Sequence, residues 1–231
     1  MLIPNESTPL AIWWFEYNDK GCIRFKDHNQ TYNFLLKCQA TYEILAEAEL
    51  FYLKSVRFET WMKYDPSTYF KPHRTKKKDT RATFSPYLEP SKLADECFKS
   101  IQTEDPFVYP LNIKFYGWGY IFDELGNRIK RPTLMGMDAT STGFPTIEIS
   151  TYSDVWLAYD VYGKPQQRRY ELNAPRLQKA LTQVRDVLGV KPLVDDDDNE
   201  LAIPHEDFTI SNKRDSLGDI LVYDTTARRV L

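Results

Sequence analysis

Apolar and polar residues alternate along several short segments of this 231-residue chain, and this pattern constrains the fold more than any other feature of the sequence. A strand with one buried face alternates in this way, because successive side chains point to opposite sides of a sheet. Aromatic and β-branched residues, which suit a pleated and half-buried surface, are frequent in these segments. The pattern predicts strands over 11–17, 22–26, 51–64, 111–116, 128–137, 146–151, 154–161, 208–211 and 219–223.

Three other segments repeat apolar residues at spacings of three and four, which is typical of an amphipathic helix. The first begins near Thr31, and the second opens at Pro90 and closes before Asp105. The proline-containing stretch 66–90, which precedes the second helix, is predicted to be a loop. Because strands outnumber helices, we expect an α+β fold with a mainly antiparallel sheet and a few amphipathic helices.

The third helical segment has the clearest boundaries. Its apolar stripe consists of Leu177, Leu181, Val184 and Leu188. Asn173 precedes this stripe and is predicted to be the N-cap, which places Pro175 in the first turn, where a missing N–H costs nothing. Gly189 is placed to end the helix, since glycine readily adopts the left-handed conformation found there.

The length fits one α+β domain over 1–231, or two lobes over 1–105 and 106–231. An internal echo favours the second arrangement, because Trp, Tyr and Gly recur in the same order and at the same spacing. The two sets are Trp14, Tyr17 and Gly21, and Trp156, Tyr159 and Gly163. Two related hairpin–helix units would produce this echo, and so would coincidence among aromatic strands.

Cysteine usage and charge restrict the class of protein. The three cysteines are too few and too unevenly spaced for a disulfide scaffold, and we interpret them as reduced thiols. The first residues lack the features of a signal peptide, and no apolar run approaches the ~20 residues that span a bilayer. We therefore expect a soluble, cytoplasmic protein. With 30 Lys+Arg against 33 Asp+Glu, the net charge of -3 excludes a nucleic-acid binder that relies on global charge.

The familiar catalytic and cofactor signatures are missing from the sequence. The segment 117–119 begins like a dinucleotide-binding loop, but it lacks the third glycine and the following helix. His28, His73 and His205 are far apart, and no CxxC or HxxxH pair is present. We therefore expect no metal, no cofactor and no enzymatic activity. An active site assembled from scattered residues is the remaining alternative.

The sharpest local feature is an acidic run near the C-terminus. Its carboxylates are those of Asp195, Asp196, Asp197, Asp198 and Glu200. A calcium-binding loop is a poor match, because the sixth position, where an EF-hand needs glycine, is occupied by Glu200. Two interpretations stay open. The run is a solvated loop, or it binds a basic partner that relieves the repulsion between adjacent carboxylates.

A basic cluster lies inside the predicted loop. Its candidate nucleic-acid-binding residues are Arg74, Lys76, Lys77, Lys78 and Arg81. Aromatic residues flank the cluster, a combination found in grooves that bind single-stranded nucleic acids. Three interpretations stay open: a solvated loop, contact with nucleic acid or phosphate, and pairing with the acidic run.

One segment resembles a known class of proteins. It reads STYSDVWLAYD from Ser150 to Asp160, continues as GKPQ over 163–166, and is followed by NAPRL over 173–177. Across about 145–190, the chain resembles small α+β immunity proteins of bacterial toxin–immunity systems. The resemblance implies a cytoplasmic protein without a cofactor that occludes the active site of a cognate toxin. Its polar residues of interest are Asp154, Asp160, Asn173 and Arg176.

These features together predict a non-enzymatic immunity protein whose partner is a cognate toxin with a basic surface. Toxic nucleases bind phosphate through Lys and Arg, so the run at 195–200 is expected to act as an anionic mimic in the interface. The alternative is a nucleic-acid-binding protein that uses the basic cluster at 71–81. No membrane partner is expected.

Overall fold

The computed structural model describes residues 9–16, 28–61, 78–83, 88–102, 109–140, 145–194, 201–224 and 229–230. The predicted strand at 22–26 and the acidic run, Asp195 to Asp198 with Glu200, lie outside these residues. Arg74, Lys76 and Lys77 of the basic cluster lie outside them as well. For Lys78 and Arg81, the backbone alone is described.

The described residues form an α+β fold built on an antiparallel sheet, as predicted. Its strands are β1 (Ala11–Glu16), β2 (Tyr52–Trp61), β3 (Lys78–Thr83), β4 (Tyr109–Phe122), β5 (Arg128–Pro132), β6 (Met135–Thr140), β7 (Thr146–Thr151) and β8 (Pro192–Val194). The strand order is β3-β2-β4-β6-β7-β1-β8, with β5 beside β4. Two small antiparallel pairs join β9 (Ala202–Pro204) to β10 (Ile210–Asn212) and β11 (Tyr223–Asp224) to β12 (Arg229–Val230).

Three described α-helices accompany the sheet: α1 (His28–Glu47), α2 (Leu93–Gln102) and α3 (Gln167–Leu188). A short 3-10 helix over Pro90–Lys92 leads into α2, where the sequence predicts a helix start. Helix α1 contacts both α2 and α3. The backbone N–H of Leu53 in β2 donates to the Tyr42 hydroxyl of α1 at 3.3 Å, which ties that helix to the sheet.

One face of the sheet is buried with the helices. The ring of Phe208 packs against Trp13 and Phe15 of β1, and the guanidinium of Arg185 in α3 lies over the same ring. Alternate residues of the central strands are buried on this side, as the period-two pattern predicts: Trp13, Phe15, Val56, Phe58, Ile113, Phe115, Met137, Ile147 and Ile149. Each such side chain contributes about 1.5–3 kcal/mol through burial.

Two glycines allow the start of β2 to approach β4 closely. A Cβ atom at Gly119 would collide with the backbone of Leu50, and one at Gly117 would collide with Tyr52 and with the ring of Phe51. The segment 117–119, which begins like a cofactor loop in the sequence, therefore serves strand packing.

Part of the predicted loop at 66–90 is a strand. Strand β3 pairs with β2, so that Arg81 lies opposite Arg57 and Asp79 lies opposite Glu59. The loop prediction was wrong here because β3 is an edge strand, and edge strands often carry charged residues that hide the apolar alternation.

The predicted strand at 128–137 is interrupted. Strands β5 and β6 both pair with β4, but Thr133 between them has a φ of 54°. Its N–H donates to the carbonyl of Gly117 at 3.3 Å. The left-handed residue redirects the chain, so one predicted strand becomes two.

The strand predicted at 154–161 is wrong. Asp154–Trp156 form a 3-10 helix, which the side chain of Ser153 caps by accepting from the N–H of Val155. The indole Nε1 of Trp156 donates to Thr151 Oγ1 at 2.6 Å, and the buried Gln166 amide donates to the Asp154 and Leu157 carbonyls. These hydrogen bonds fold the segment back on itself. Trp14 lies in β1 and Trp156 in the 3-10 helix, so these two residues of the internal echo differ in structure. Tyr17 and Gly21 lie outside the described residues.

Helix α3 starts at Gln167 rather than near Asn173, so the predicted N-cap was wrong. Asn173 is fully buried inside the helix, and Pro175 also lies within it. Asparagine is a common N-cap residue, but the side chain of Asn173 makes tertiary hydrogen bonds to β4 instead. Gly189 ends the helix in the left-handed conformation, with a φ of 69°, as predicted.

A candidate partner-binding face on the sheet

The side of the sheet opposite the buried core carries a patterned set of partly exposed side chains, which we call the open face. Strand register arranges these side chains in rows across the strands. The middle row runs from β2 through β4, β6, β7 and β1 to β8. Its members are Arg57, Lys114, Asp138, Glu148, Trp14 and Leu193.

Charge changes sign along this middle row. Cations stand on β2 and β4, carboxylates on β6 and β7, and apolar side chains on β1 and β8. Lys114 Nζ lies 3.6 Å from Asp138 Oδ2 where the two signs meet. Trp14 Nε1 donates to Glu148 Oε2 at 3.1 Å at the apolar end. The row is therefore basic at one end, acidic at its centre and apolar at the other end.

A second row adds carboxylates to both ends of the open face. It consists of Glu59, Asn112, Thr140, Thr146 and Glu16. Asn112 Nδ2 donates to Glu59 Oε2 at 3.0 Å, and Thr140 Oγ1 donates to Asn112 Oδ1 at 3.0 Å. Glu59 is buried, so these hydrogen bonds hold a carboxylate that has little contact with water.

A third row provides an aromatic surface. Tyr116 of β4 pairs with Ser55 and is 41% exposed. Tyr152 lies over Gly136, where an added Cβ would stand 3.2 Å from its ring and 2.5 Å from Ser150 Oγ. Exposed tyrosines beside charged side chains are typical of protein interfaces, because a rigid ring contributes large contact area at low entropic cost.

Burial and neighbouring carboxylates destabilise the charged form of Asp138. Partial burial raises the pKa of Asp138 to about 6, with nearby Lys114 lowering it and Glu148 and Glu59 raising it. Asp138 in turn raises the pKa of Lys114. Four carboxylates, those of Glu16, Glu59, Asp138 and Glu148, face two cations in the first two rows. The first two rows together thus have an excess of negative charge that a cationic surface would stabilise.

A second cluster of aromatic rings and cations lies where β2 meets the β4–β5 hairpin. The rings of Tyr52 and Trp118 stack at 4.5 Å, and Tyr120 packs edge-on against both. Lys130 lies 3.8 Å above the Trp118 ring, and Arg128 lies 3.4 Å above the Tyr120 ring. Trp118 and Tyr120 thus each already have a cation against the ring face, and the cluster stabilises the hairpin.

The structure places the predicted site residues only in part. The acidic run follows Val194, the last residue of β8, and β8 is one edge of the sheet. Lys78 and Arg81 lie on β3, the opposite edge. Six strand spacings separate these edges, which is about 29 Å. The basic and acidic segments of the sequence therefore connect to opposite edges of the sheet.

The residues that carry the resemblance to immunity proteins build a scaffold. Asp160 Oδ1 accepts from the N–H groups of Tyr162 and Lys164, both at 2.9 Å, in a turn completed by Gly163 with a φ of 78°. Val161 N–H donates to Asp154 Oδ2 at 3.3 Å.

Two further residues of that segment connect α3 to the rest of the fold. Asn173 makes two hydrogen bonds with the backbone of Phe122. Arg176 donates to the carbonyls of Tyr120 at 3.2 Å and Ala48 at 2.9 Å. The polar residues of the motif thus position α3 against β4 and the end of α1.

The open face was not predicted from the sequence because its charges are spread over five strands. Asp138 and Glu148 are ten residues apart in the sequence and become neighbours only through the pairing of β6 with β7. The available signal was the polar half of each alternating segment.

The described residues contain no group of His, Cys, Asp and Glu side chains that could hold a metal ion. None of the described helices combines the length and apolar composition needed to cross a membrane. Comparisons with models of protein families, with curated proteins and with solved structures found no match to this chain.

Proposed function

We propose that this chain is a non-enzymatic immunity protein that binds a cognate toxin with a basic surface and occludes its active site. The observation that carries the proposal is the open face, where carboxylates, partly exposed aromatic rings and a rigid sheet lie together. The resemblance over 145–190 supports the same class. A cytoplasmic location, the absence of a cofactor and the absence of catalysis belong to this proposal.

The charge of the open face supports a basic partner. Asp138 and Glu148 lie side by side on β6 and β7, and burial raises the pKa of Asp138. A lysine or arginine from a partner would stabilise both carboxylates in their charged form, and this stabilisation would contribute to the binding free energy. A nuclease presents such cations because it must bind phosphate.

Aromatic residues at the margin of the charged rows supply the anchors of the proposed interface. Tyr116 is well exposed on β4, and Trp14 is held by its hydrogen bond to Glu148. Hot spots of protein interfaces are enriched in Tyr and Trp because these rings lose little conformational entropy on binding. We expect these two rings to dominate affinity and the carboxylates to dominate the rate of association.

The acidic run remains a second predicted contact. Asp195 to Asp198 and Glu200 directly follow β8, whose Leu193 belongs to the apolar end of the middle row. A toxin that covered the acidic and apolar parts of the open face would approach this edge strand.

The test begins with affinity capture of partners from the native host, followed by mass spectrometry. The captured protein is then expressed alone and together with this chain. The proposal requires that it arrest growth alone, that co-expression restore growth, and that the two purified proteins form a stoichiometric complex. A captured protein that is not toxic, or whose toxicity this chain does not relieve, would contradict the proposal.

A pair of substitutions that removes two carboxylates of the open face locates the contact. Asp138→Asn with Glu148→Gln should lower the association rate with the toxin and flatten its dependence on salt. The matched control, Glu124→Gln with Glu171→Gln, removes the same charge from the β4–β5 turn and from α3, where both side chains are exposed. A third variant replaces the carboxylates of the acidic run with asparagine and glutamine. It distinguishes the contribution of the run to binding from that of the open face.

Nucleic-acid binding is the second candidate function, and the register of β3 favours it. Arg81 lies opposite Arg57, which lies opposite Lys114, so three basic positions are aligned across three strands. This alignment continues the basic cluster at 71–81 onto the sheet. A steep salt dependence of oligonucleotide binding, abolished by alanine at Lys76, Lys77 and Lys78, would support this function over the first.

A further inference from the structure

We infer that the open face also binds a second copy of this chain, in a two-fold arrangement that pairs its basic part with the acidic part of the other copy. The inference stands on charge complementarity within one row and does not depend on the toxin. A two-fold interface places the same surface of each copy against the other, so the surface must be complementary to itself. The middle row meets this condition because its cations and carboxylates occupy separate strands.

The strand order defines the pairing. A two-fold axis parallel to the strands and between β4 and β6 places β4 against β6 of the second copy, and β2 against β7 of the second copy. Lys114 then lies opposite Asp138 of the second copy, and Arg57 lies opposite Glu148 of the second copy. Each contact occurs twice, which gives four pairs of opposite charge.

The exposure of the central pair allows this contact. The side chains of Lys114 and Asp138 are 40% and 36% exposed, so their mutual contact leaves both partly available. The remaining row positions, Arg57, Glu148 and Trp14, are also only partly buried. Sheets that pack face to face stand about 10 Å apart, a distance that long charged side chains from both copies bridge.

The size of the open face predicts a weak dimer. In this pairing the six strands from β3 to β1 face strands of the second copy and span about 24 Å, and five residues of each strand span about 16 Å, so each copy offers on the order of 400 Å². The pair would bury on the order of 800 Å², which is below the ~1,200 Å² of a standard stable interface. We therefore expect a dimer that forms at high protein concentration and weakens with added salt.

A mutual exclusion follows if the proposed function is also correct. The same carboxylates would contact either the second copy or the toxin. A weak dimer would protect the open face in the absence of toxin and would yield to a tighter toxin complex.

Charge reversal with mixing tests the inference on the purified chain alone, by sedimentation from about 10 µM to 1 mM at low and high salt. Arg57→Glu places like charges opposite Glu148 of the second copy, and Glu148→Lys places like charges opposite Arg57. Each variant alone should dimerise at least about tenfold more weakly than the unmodified chain. An equimolar mixture of the two variants should restore dimerisation to within about threefold, because every contact again joins opposite charges.

Lys164→Glu serves as the matched control, since it reverses an exposed charge in the turn before α3. It should leave dimerisation unchanged. A chain that stays monomeric at 1 mM, a dimer that neither reversal weakens, or a mixture that does not regain affinity would each overturn the inference. None of these results bears on toxin binding, and restored pairing in the mixture also shows that both variants are folded.

Discussion

Asn173 and Phe122 are joined by two hydrogen bonds that fix the last described helix to the longest strand. The N–H of Phe122 donates to Asn173 Oδ1 at 2.9 Å, and Asn173 Nδ2 donates to the carbonyl of Phe122 at 2.8 Å. Asn173 Nδ2 also donates to the Arg169 carbonyl at 2.8 Å inside α3. One buried amide thus hydrogen-bonds backbone groups of both β4 and α3 and connects the two elements.

Replacing Asn173 with alanine should lower the free energy of unfolding by about 2–4 kcal/mol, because it leaves the backbone groups of Phe122 without a protein partner. Urea denaturation measures the change. Asn173→Asp keeps the acceptor for Phe122 N–H but turns a second oxygen toward the Phe122 and Arg169 carbonyls, so it should cost at least as much as alanine. A loss below about 1 kcal/mol for the alanine variant would show that this amide is not a main connection between α3 and β4.

Gly119→Ala should also destabilise the fold, by about 1–3 kcal/mol or more, because the new methyl group would meet the backbone of Leu50. Gly126→Ala is the comparison. That residue has a φ of 82° and open space around it, so only backbone strain of about 1 kcal/mol is expected. Equal losses at the two positions would contradict the close approach between Leu50 and β4.

The two described cysteines should be unreactive in the folded protein. Burial raises the pKa of the Cys38 and Cys97 thiols, so the reactive thiolate is suppressed. In a Cys22→Ser variant, we expect the reaction with a disulfide reagent to be at least about 100-fold slower in buffer than in denaturant. Rapid modification of either thiol before unfolding would show that α1 and α2 do not enclose these side chains.

Asp138 should make stability fall with rising pH. Its pKa is raised to about 6 in the folded protein, against ~3.9 in an unfolded chain. The folded state therefore holds a proton that the unfolded state has lost, and its stabilising effect is complete below about pH 4 and disappears as the pH rises through 6. Asp138→Asn should raise stability relative to the unmodified chain more at pH 7.5 than at pH 4.5.

Urea midpoints at the two pH values measure this effect, and an NMR titration of the Asp138 carboxyl measures its pKa directly. Glu124→Gln, in an exposed turn, is the control variant for both measurements. An Asp138 pKa near 4, or a variant whose relative stability is the same at both pH values, would contradict the partial burial of Asp138 beside other carboxylates.

Local alternation was sufficient to predict most of the sheet, and three-and-four spacing was sufficient for α1 and α2. β1, β2 and β7 follow the predicted segments closely because each has one buried and one half-exposed side. The prediction failed where tertiary contacts override local signals. Local sequence predicts an N-cap at Asn173, but its side chain bonds to Phe122 of β4. Local sequence predicts a strand at Trp156, but its indole donates to Thr151 in a segment that folds back on itself.

The candidate site was not predictable from the sequence for a different reason. The acidic and basic segments are conspicuous because their charges are consecutive, whereas Arg57, Lys114, Asp138 and Glu148 become a row only through strand pairing. No short segment of the sequence shows which residues of different strands lie opposite one another. The predicted sites remain predictions, and the structure adds the open face to them.

The most direct measurement of the central claim is the association rate between this chain and the toxin captured from its host, recorded at low and high salt. We predict that Asp138→Asn with Glu148→Gln slows association several-fold at low salt and little at high salt, while Glu124→Gln with Glu171→Gln changes neither rate. Equal rates for the unmodified chain and the open-face variant at low salt would show that the acidic part of the sheet does not meet the partner.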